Sequence, residues 1–304
     1  MQTKELSQRQ KDCLLKLLDA FIQICADNNL RYYMAGGSCI GAIRHNGFIP
    51  WDDDIDVYMP REDFNELLKL PQYIWGEDIR LASVYTTKGY TYDFPKLELI
   101  NTTVIERFYP EYIGGVFLDI FPLDAVPIND NDRKNQLYKL NNIVDKYVKT
   151  TIKHYRDCNS LIELLSLKYY KFRYNNRRKL IAQWERLVSN SIKITDYVID
   201  YHNYWSQGPV PFSYFQEGIY ADFEGRKVRI PKEYYNYLSH RFGDYMKLPP
   251  EDKRYAHKFD YVNYDRRISE EEAKEIFTAL KSEHSYQFSL KKEIKNILKF
   301  LKIR

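Results

Sequence analysis

The chain has 304 residues, of which 44% are hydrophobic and 29% charged, and its formal net charge is +4. This composition is that of an ordinary globular protein and excludes a disordered or fibrous chain. The basic residues are spread along most of the sequence, so we expect no nucleic-acid groove and no nucleic-acid partner.

The cysteines and the N-terminus indicate the compartment. Cys13, Cys25, Cys39 and Cys158 form no C-x-x-C pair and no zinc-ligand spacing with the histidines, which excludes a zinc finger or a disulfide framework. The first residues lack a signal pattern, and nowhere does the chain carry about 18 consecutive apolar residues. We therefore expect a cytoplasmic protein with reduced thiols.

Helix and strand signals alternate in the first part of the chain. Leu14, Leu17, Leu18 and Phe21 share one face of a helix predicted over residues 7–28, with Ser7 as its candidate N-cap. A brief helix is predicted to start at Ser38, and another follows Pro60. The predicted strands cover residues 32–35, 54–59, 80–85, 92–99 and 116–121, the last one closed by Pro122.

Beyond residue 128 the pattern becomes helical, charged and rich in tyrosine, and sheet-like residues return only at 227–231. A helix is predicted over residues 232–242. We predict an α+β fold with a mixed sheet flanked by helices and an additional helical lobe. The predicted divisions are a core at 1–128, a helical lobe or insertion at 129–206, a return to the core at 207–265 and basic amphipathic helices at 266–304.

The last segment combines apolar and basic residues. Residues 290–304 place five aliphatic side chains at helical spacing beside six cations. Two interpretations stay open. The segment contacts the inner face of an anionic membrane peripherally, or it packs on its own domain with a solvated basic face.

Gly36, Gly37 and Ser38 lie between a predicted strand and a predicted helix. Glycines let backbone amides approach a ligand, and the serine is a candidate cap of the helix. A helix N-terminus attracts phosphate through its free N–H groups and its dipole. The three residues are therefore candidate phosphate ligands, and an ordinary tight turn is the alternative.

An acidic run follows at residues 51–57, which read WDDDIDV. Asp54 and Asp56 lie two positions apart in a predicted strand, so their carboxylates project from the same face. Like charges beside an apolar strand are costly unless a cation neutralises them, so the pair predicts a divalent metal site. For Asp52 and Asp53, a solvated position or one that supports the metal ligands is at least as good an interpretation as direct metal binding.

Other proteins also use the D-x-D pattern. A calcium-binding EF-hand loop that begins at Asp52 would need Gly at its sixth position and Glu at its twelfth, where this chain has Val57 and Asp63. A haloacid-dehalogenase-type phosphatase fits locally but leaves the glycine turn unexplained. A metal-dependent glycosyltransferase remains the serious alternative.

A longer resemblance includes both motifs. Residues 35–57 read AGGSCIGAIRHNGFIPWDDDIDV, and further matching runs are PKL at 95–97, LDIFPLD at 118–124, VRIP at 228–231, YL at 237–238, FGDY at 242–245 and LPP at 248–250. Together they resemble the signature of the LicD family. Its members are phosphocholine transferases of bacterial surface glycans, and relatives such as fukutin transfer ribitol phosphate. The resemblance covers roughly residues 10–128 and 218–260.

The resemblance implies a nucleotidyltransferase-like fold and a metal centre. By similarity, Asp54 and Asp56 hold one or two Mg²⁺ ions, with Mn²⁺ as the alternative ion, and Asp119 supplies a third carboxylate. Two ions would clamp the attacking and leaving oxygens of an in-line displacement. Asp119 or Asp56 would accept the proton of the attacking hydroxyl. The alternative for Asp119 is a structural cap at the turn of Pro122.

Three basic residues in or beside the matching runs are candidate ligands of a donor diphosphate, namely Arg44, His45 and Lys96. Arginine can bind two phosphate oxygens with its planar fork, and lysine acts as a point charge. The alternatives are a solvated position for Arg44 and Lys96 and an ordered loop around His45.

The resemblance implies a phosphotransferase that moves phosphocholine, or another alcohol phosphate, from a CDP-linked donor to a hydroxyl of a cell-surface glycan or its lipid-linked oligosaccharide precursor. Capsule, teichoic acid and lipopolysaccharide are such glycans. CMP would leave. The alternative is a metal-dependent glycosyltransferase, which would release a nucleoside diphosphate, or a nucleotidyltransferase acting on a sugar, which would release pyrophosphate. A non-catalytic scaffold on the same fold is the third hypothesis.

Overall fold

The structure is a computed structural model that describes residues 6–106, 112–127, 129–151, 161–189, 197–202, 208–254 and 259–283. Helices and strands alternate in it, which confirms the predicted α+β class. The helices are α1 (Gln8–Asp27), α2 (Gly36–His45), α3 (Arg61–Lys69), α4 (Asp130–Thr151), α5 (Leu161–Arg173), α6 (Arg177–Ser189), α7 (Tyr234–Phe242) and α8 (Glu270–Glu283). The strands are β1 (Tyr33–Met34), β2 (Asp56–Pro60), β3 (Ile79–Ala82), β4 (Lys96–Leu99), β5 (Thr103–Glu106), β6 (Phe117–Ala125), β7 (Tyr197–Ile199), β8 (Val210–Pro211), β9 (Ile219–Phe223), β10 (Arg226–Ile230) and β11 (Phe259–Asn263).

A mixed sheet forms the centre of the described residues. In it β1, β2, β6, β4 and β3 lie side by side in that order, β7 pairs with β6, and β8 pairs with β7. β2 and β6 run parallel, whereas the other pairs are antiparallel. The parallel register places Asp56 opposite Asp119. Two acidic residues that are distant in sequence thereby become neighbours.

Helix α1 shows why the apolar pattern predicts this fold. Leu14, Leu17, Leu18 and Phe21 are almost fully buried on its inner face, in one core cluster with residues of the central sheet. At its N-terminus Ser7 caps the helix, since its side chain accepts a hydrogen bond of 3.2 Å from the backbone N–H of residue 10. The prediction of this helix and of its cap is confirmed.

β6 continues through Pro122, so the prediction that this proline ends the strand was wrong. The backbone N–H groups of β6 alternate in direction, because Asp119 donates to Ile55 O (2.9 Å) on the β2 side and Ile120 donates to Pro95 O (3.2 Å) on the other. The N–H that Pro122 lacks would face the second side, past the start of β4. The proline therefore costs the sheet no ladder hydrogen bond there.

Several predicted strands are shorter in the structure, among them those predicted over residues 80–85 and 92–99. The strand predicted over residues 80–85 ends at Ala82, because Ser83 Oγ accepts the N–H groups of Tyr85 and Thr86 at 3.2 Å each and so forms a turn. The strand predicted over residues 92–99 begins only at Lys96, after Pro95. The strand predicted near 227–231 is confirmed as β10, which forms a hairpin with β9.

The helical segment beyond residue 128 packs around a second apolar cluster that includes Leu140, Ile143, Leu180 and Trp184. Strand β7 also lies within this segment and joins it to the central sheet through β6. The four-part division of the chain stays a prediction, and residues 290–304 lie outside the described residues. Within the described ranges, no helix has both the length and the apolarity needed to cross a membrane.

Candidate functional site

Three carboxylates converge where β2 and β6 lie side by side. Asp54 precedes β2, Asp56 begins it, and Asp119 lies opposite Asp56 on β6. One carboxylate oxygen from each residue lies within 4.8 Å of the other two. The structure thus brings together the three predicted metal ligands in what we call the acidic cluster.

Burial and mutual repulsion perturb the acidic cluster. Burial, followed by the charges of Asp54 and Asp119, raises the pKa of Asp56 well above its ordinary value. Burial also raises the pKa of Asp119 to about 7, against the opposing effect of Lys96. Both shifts have the same physical cause, because each carboxyl loses water and faces other carboxylates.

The acidic cluster has the chemistry of a divalent-cation site. Its ligands are hard carboxylate oxygens, the type that Mg²⁺ and Mn²⁺ prefer. A bound cation would offset the repulsion that raises the pKa of Asp56. Asp54, Asp56 and Asp119 could therefore hold a metal ion.

Lys96 lies inside the protein beside the acidic cluster, with its side chain only 2% exposed. Its Nζ is 2.8 Å from Asp119 Oδ1 and 3.3 Å from Glu106 Oε2. Nζ also lies 3.3 Å from the centre of the Phe117 ring and 4.2 Å from that of Tyr92. Although burial favours the neutral amine, the two carboxylates raise the pKa of Lys96, so it is a fixed cation that restrains Asp119.

Gly36 and Ser38, which the structure places in the first residues of α2 and not in a turn before it, support the acidic cluster through their contacts. Ser38 does not cap α2, because Ala35 occupies the N-cap position and Ser38 lies within the helix. Its Oγ instead accepts the backbone N–H of Asp56 at 2.9 Å. Gly36 adopts a φ of +46° and donates its N–H to Tyr237 Oη at 3.1 Å.

Gly37 lies directly against the carboxylate of Asp52. A Cβ at Gly37 would lie 2.3 Å from Asp52 Oδ2, so a side chain here would force Asp52 to move. The carboxylate therefore sits at the positive end of the α2 dipole, where the sequence predicts a phosphate. Asp52 therefore contacts the first turn of α2, which corresponds to the supporting position predicted as an alternative to metal binding.

Arg44 and His45 lie at the other end of α2, about 9 Å along the helix axis from Ser38. Arg44 Nη1 donates to Tyr245 O at 2.5 Å, and its Nε is 3.4 Å from His45 Nδ1. Burial and the nearby charge of Arg254 lower the pKa of Arg44, and burial and Arg44 lower the pKa of His45. Two guanidinium groups therefore share this side of the molecule.

Arg254, Glu106 and Tyr237 are neighbours of the predicted site residues that sequence reasoning did not select. Arg254 lies over the Trp51 ring at 5.1 Å, and its Nε donates to Pro249 O at 2.8 Å. Only the LPP run at 248–250, which immediately precedes the turn that holds Arg254, could have drawn attention to it. Tyr237 lies in a run that matches the family and Glu106 lies near another, but the sequence assigns neither a role, because their contacts are made across the fold.

The fold and the acidic cluster define a nucleotidyltransferase-type domain, and similarity to known proteins agrees. A family model described as "LicD/FKTN/FKRP, nucleotidyltransferase domain" matches residues 29–158, which include the acidic cluster. The lipopolysaccharide cholinephosphotransferase LicD of Haemophilus influenzae is 31% identical over 261 residues, which cover 84% of this chain and 97% of that protein. An uncharacterized protein of Rickettsia typhi is 34% identical over 88 residues, 28% of each chain.

The chain belongs to the LicD family. The resemblance seen in residues 35–57 is thereby confirmed, and so is the predicted class of enzyme, a phosphotransferase.

Proposed function

We propose that this protein transfers phosphocholine from a CDP-linked donor to a hydroxyl of a cell-surface glycan or of its lipid-linked oligosaccharide precursor, with release of CMP. The observation that carries this proposal is the convergence of Asp54, Asp56 and Asp119 on neighbouring strands. Similarity to a lipopolysaccharide cholinephosphotransferase supports the choice of donor and acceptor. Mg²⁺ is the ion we propose for the acidic cluster, with Mn²⁺ as the alternative.

In the proposed reaction, an oxygen of the acceptor forms a bond to the phosphorus of phosphocholine. The bond between that phosphorus and the bridging oxygen breaks, and its electron pair leaves on CMP. When bound, the cation neutralises charge on the phosphate oxygens. The acceptor's proton passes to Asp119, whose other oxygen is restrained by Lys96 at 2.8 Å. Asp56 is the alternative proton acceptor.

The donor diphosphate needs cations outside the acidic cluster, and we assign this part to the neighbouring guanidinium groups of Arg44 and Arg254. Arg44 is partly buried and close enough to Arg254 for the two charges to interact unfavourably. A phosphate placed near both would relieve that repulsion. His45 joins them as a neutral hydrogen-bond partner, because its pKa is lowered.

Lys96 and the first residues of α2, Gly36 to Ser38, contribute by position in this proposal. Lys96 restrains Asp119, and Ser38 holds the backbone of Asp56. Their contacts lie within the protein, so their substitution should disturb the acidic cluster first and donor binding second.

Isothermal titration of the purified protein tests the proposed donor. CDP-choline, CDP-ribitol, CDP-glycerol and UDP-glucose are titrated with Mg²⁺ and with EDTA, using wild type, Asp54→Asn and Asp56→Asn. Asp222→Asn is the matched control, because its carboxylate is 57% exposed on β9 and forms an ion pair with Lys227, which is also solvent-exposed.

We expect Mg²⁺-dependent binding of CDP-choline that weakens at least about 10-fold in both cluster variants and stays unchanged in the control. Binding of UDP-glucose alone would favour a glycosyltransferase. Absence of binding by every nucleotide would favour the scaffold hypothesis.

A further inference from the structure

Helix α5 carries an apolar stripe on its solvent side. Ile162, Leu165, Tyr169 and Phe172 are 74%, 56%, 59% and 82% exposed. Their spacing of three, four and three residues places all four on one face of the helix. We call these four residues the α5 stripe.

The opposite face of α5 is already used in the fold. Leu167 is buried there, and the ring of Tyr170 lies 4.5 Å from Lys149 Nζ of α4. The helix is therefore apolar on two faces, and only one of them is covered within the described residues. A helix of this kind is stable when both faces are covered.

The charges along the α5 stripe indicate what covers it. Lys168 borders one side of the stripe, and Arg173 and Ser166 border the other, all of them exposed. The acidic residue of the helix, Glu163, lies about 100° around the axis from Ile162, outside this face. An apolar stripe with cations at both edges matches an anionic bilayer surface, where aromatic and aliphatic groups enter the headgroup layer and cations meet phosphates.

A second copy of the chain is a less suitable partner for the α5 stripe. Two copies that met stripe to stripe around a twofold axis would bring Lys168 and Arg173 of one copy against the same cations of the other. This like-charge repulsion disfavours the dimer and is absent at an anionic surface. We propose that the α5 stripe docks this protein peripherally on anionic phospholipid membranes, with α5 lying in the plane of the interface.

The proposal goes beyond the proposed function and does not depend on it. It also concerns a different part of the chain from residues 290–304, so the two contacts can be separated by experiment.

Co-sedimentation with vesicles of phosphatidylglycerol and phosphatidylcholine, or of phosphatidylcholine alone, tests the docking. The full chain is compared with Ile162→Ser/Phe172→Ser, which removes apolar area from the α5 stripe, and with Lys168→Gln/Arg173→Gln, which removes its bordering charges. Tyr73→Ser/Tyr138→Ser is the matched control, because these aromatic residues are 82% and 71% exposed outside the α5 stripe. Circular dichroism and thermal melting check that every variant folds.

We expect wild type to bind the anionic vesicles preferentially, and less tightly as salt rises. Loss of the two apolar side chains should lower the partition coefficient by about 30-fold or more. The charge variant should lose most of the salt dependence, and the control should bind as wild type.

Three results would overturn the proposal. In the first, wild type does not bind anionic vesicles. In the second, Ile162→Ser/Phe172→Ser binds them as tightly as wild type does. In the third, deletion of residues 290–304 abolishes all vesicle binding although the α5 stripe is intact. Light scattering after gel filtration could give a fourth contrary result. If wild type is a dimer and Ile162→Ser/Phe172→Ser is a monomer, the α5 stripe binds a second copy of the chain and not a membrane.

Discussion

Asp56→Asn should stabilise the metal-free protein, because it removes one charge from the acidic cluster. Its carboxylate lies within 4.8 Å of those of Asp54 and Asp119. At an effective dielectric constant of about 20, two like charges at 4.8 Å repel by about 3.5 kcal/mol. Lys96 offsets part of this repulsion, since it lies 2.8 Å from Asp119.

Proton uptake by Asp56 in wild type limits how much stability the substitution can add. A carboxyl with an ordinary pKa of 3.8 can be protonated at pH 7 at a cost of about 4.4 kcal/mol, so charge repulsion on Asp56 cannot exceed that cost. We therefore expect the free energy of unfolding of Asp56→Asn in EDTA to exceed that of wild type by about 2 to 4 kcal/mol at pH 7. The gain should shrink as the pH falls.

The sign of the pH dependence follows from the raised pKa of Asp56. Between the unfolded and folded pKa values, the folded protein holds more protons than the unfolded chain. Stability of metal-free wild type therefore falls as the pH rises through this range. Asp119, whose pKa is also raised, contributes in the same direction.

Urea unfolding in EDTA and in Mg²⁺, at several pH values, measures these effects. Wild type should gain stability from Mg²⁺, and Asp56→Asn should lose most of that gain. The exposed control Asp222→Asn should change stability by less than about 0.5 kcal/mol. If Asp56→Asn is less stable than wild type in EDTA, the carboxylates are not in net repulsion, and the electrostatic reasoning fails.

Three further predictions concern the surroundings of the acidic cluster and the contact between Asp93, which precedes β4, and His202, which follows β7. Ser38→Ala leaves the N–H of Asp56 without its acceptor and should lower the unfolding free energy by about 1 to 3 kcal/mol, with weaker Mg²⁺ binding in calorimetry. Lys96→Met removes the cation from beside the buried carboxylate of Asp119 and should cost about 3 to 5 kcal/mol in urea unfolding with EDTA. An unchanged midpoint would contradict the ion pairs of Lys96. His202 lies 3.1 Å from Asp93, which raises the pKa of the histidine and lowers that of the aspartate despite burial. The ion pair should stabilise the fold most at pH values between the ordinary pKa values of aspartate and histidine. This stabilisation should be lost as the pH rises through the pKa of His202 in the folded protein, or falls through that of Asp93. Thermal melts of His202→Gln should show a weaker dependence of stability on pH.

Local pattern was enough to predict several features. The apolar face of α1 follows from helical periodicity, and the shared face of Asp54 and Asp56 follows from strand alternation. Asp119 could be selected only through the resemblance, because strand periodicity does not say which strands pair. The parallel register that sets Asp119 opposite Asp56 is a property of the assembled sheet.

The surroundings of the acidic cluster were harder to predict. The sequence predicts that Lys96 binds phosphate, but its strand pairs with β6 and sets the ammonium against Asp119. The sequence also predicts that Ser38 caps a helix, whereas its hydroxyl accepts the backbone N–H of Asp56, 18 positions later. Arg254 reaches the neighbourhood of Arg44 at the end of a 3₁₀ helix (Glu251–Lys253) that is too short to show a periodicity in the sequence. Each of these contacts depends on tertiary pairing, which single-sequence patterns do not contain.

Product analysis tests the central claim most directly. Purified protein is incubated with Mg²⁺, CDP-choline labelled in the choline, and a lipopolysaccharide or lipid-linked oligosaccharide acceptor, and the nucleotide products are separated by chromatography. We expect CMP in an amount equal to the label gained by the acceptor, and we expect both to be lost in EDTA and in Asp54→Asn. Label transfer that persists in Asp54→Asn, or no CMP with any CDP-alcohol while a UDP-sugar yields UDP, would contradict it.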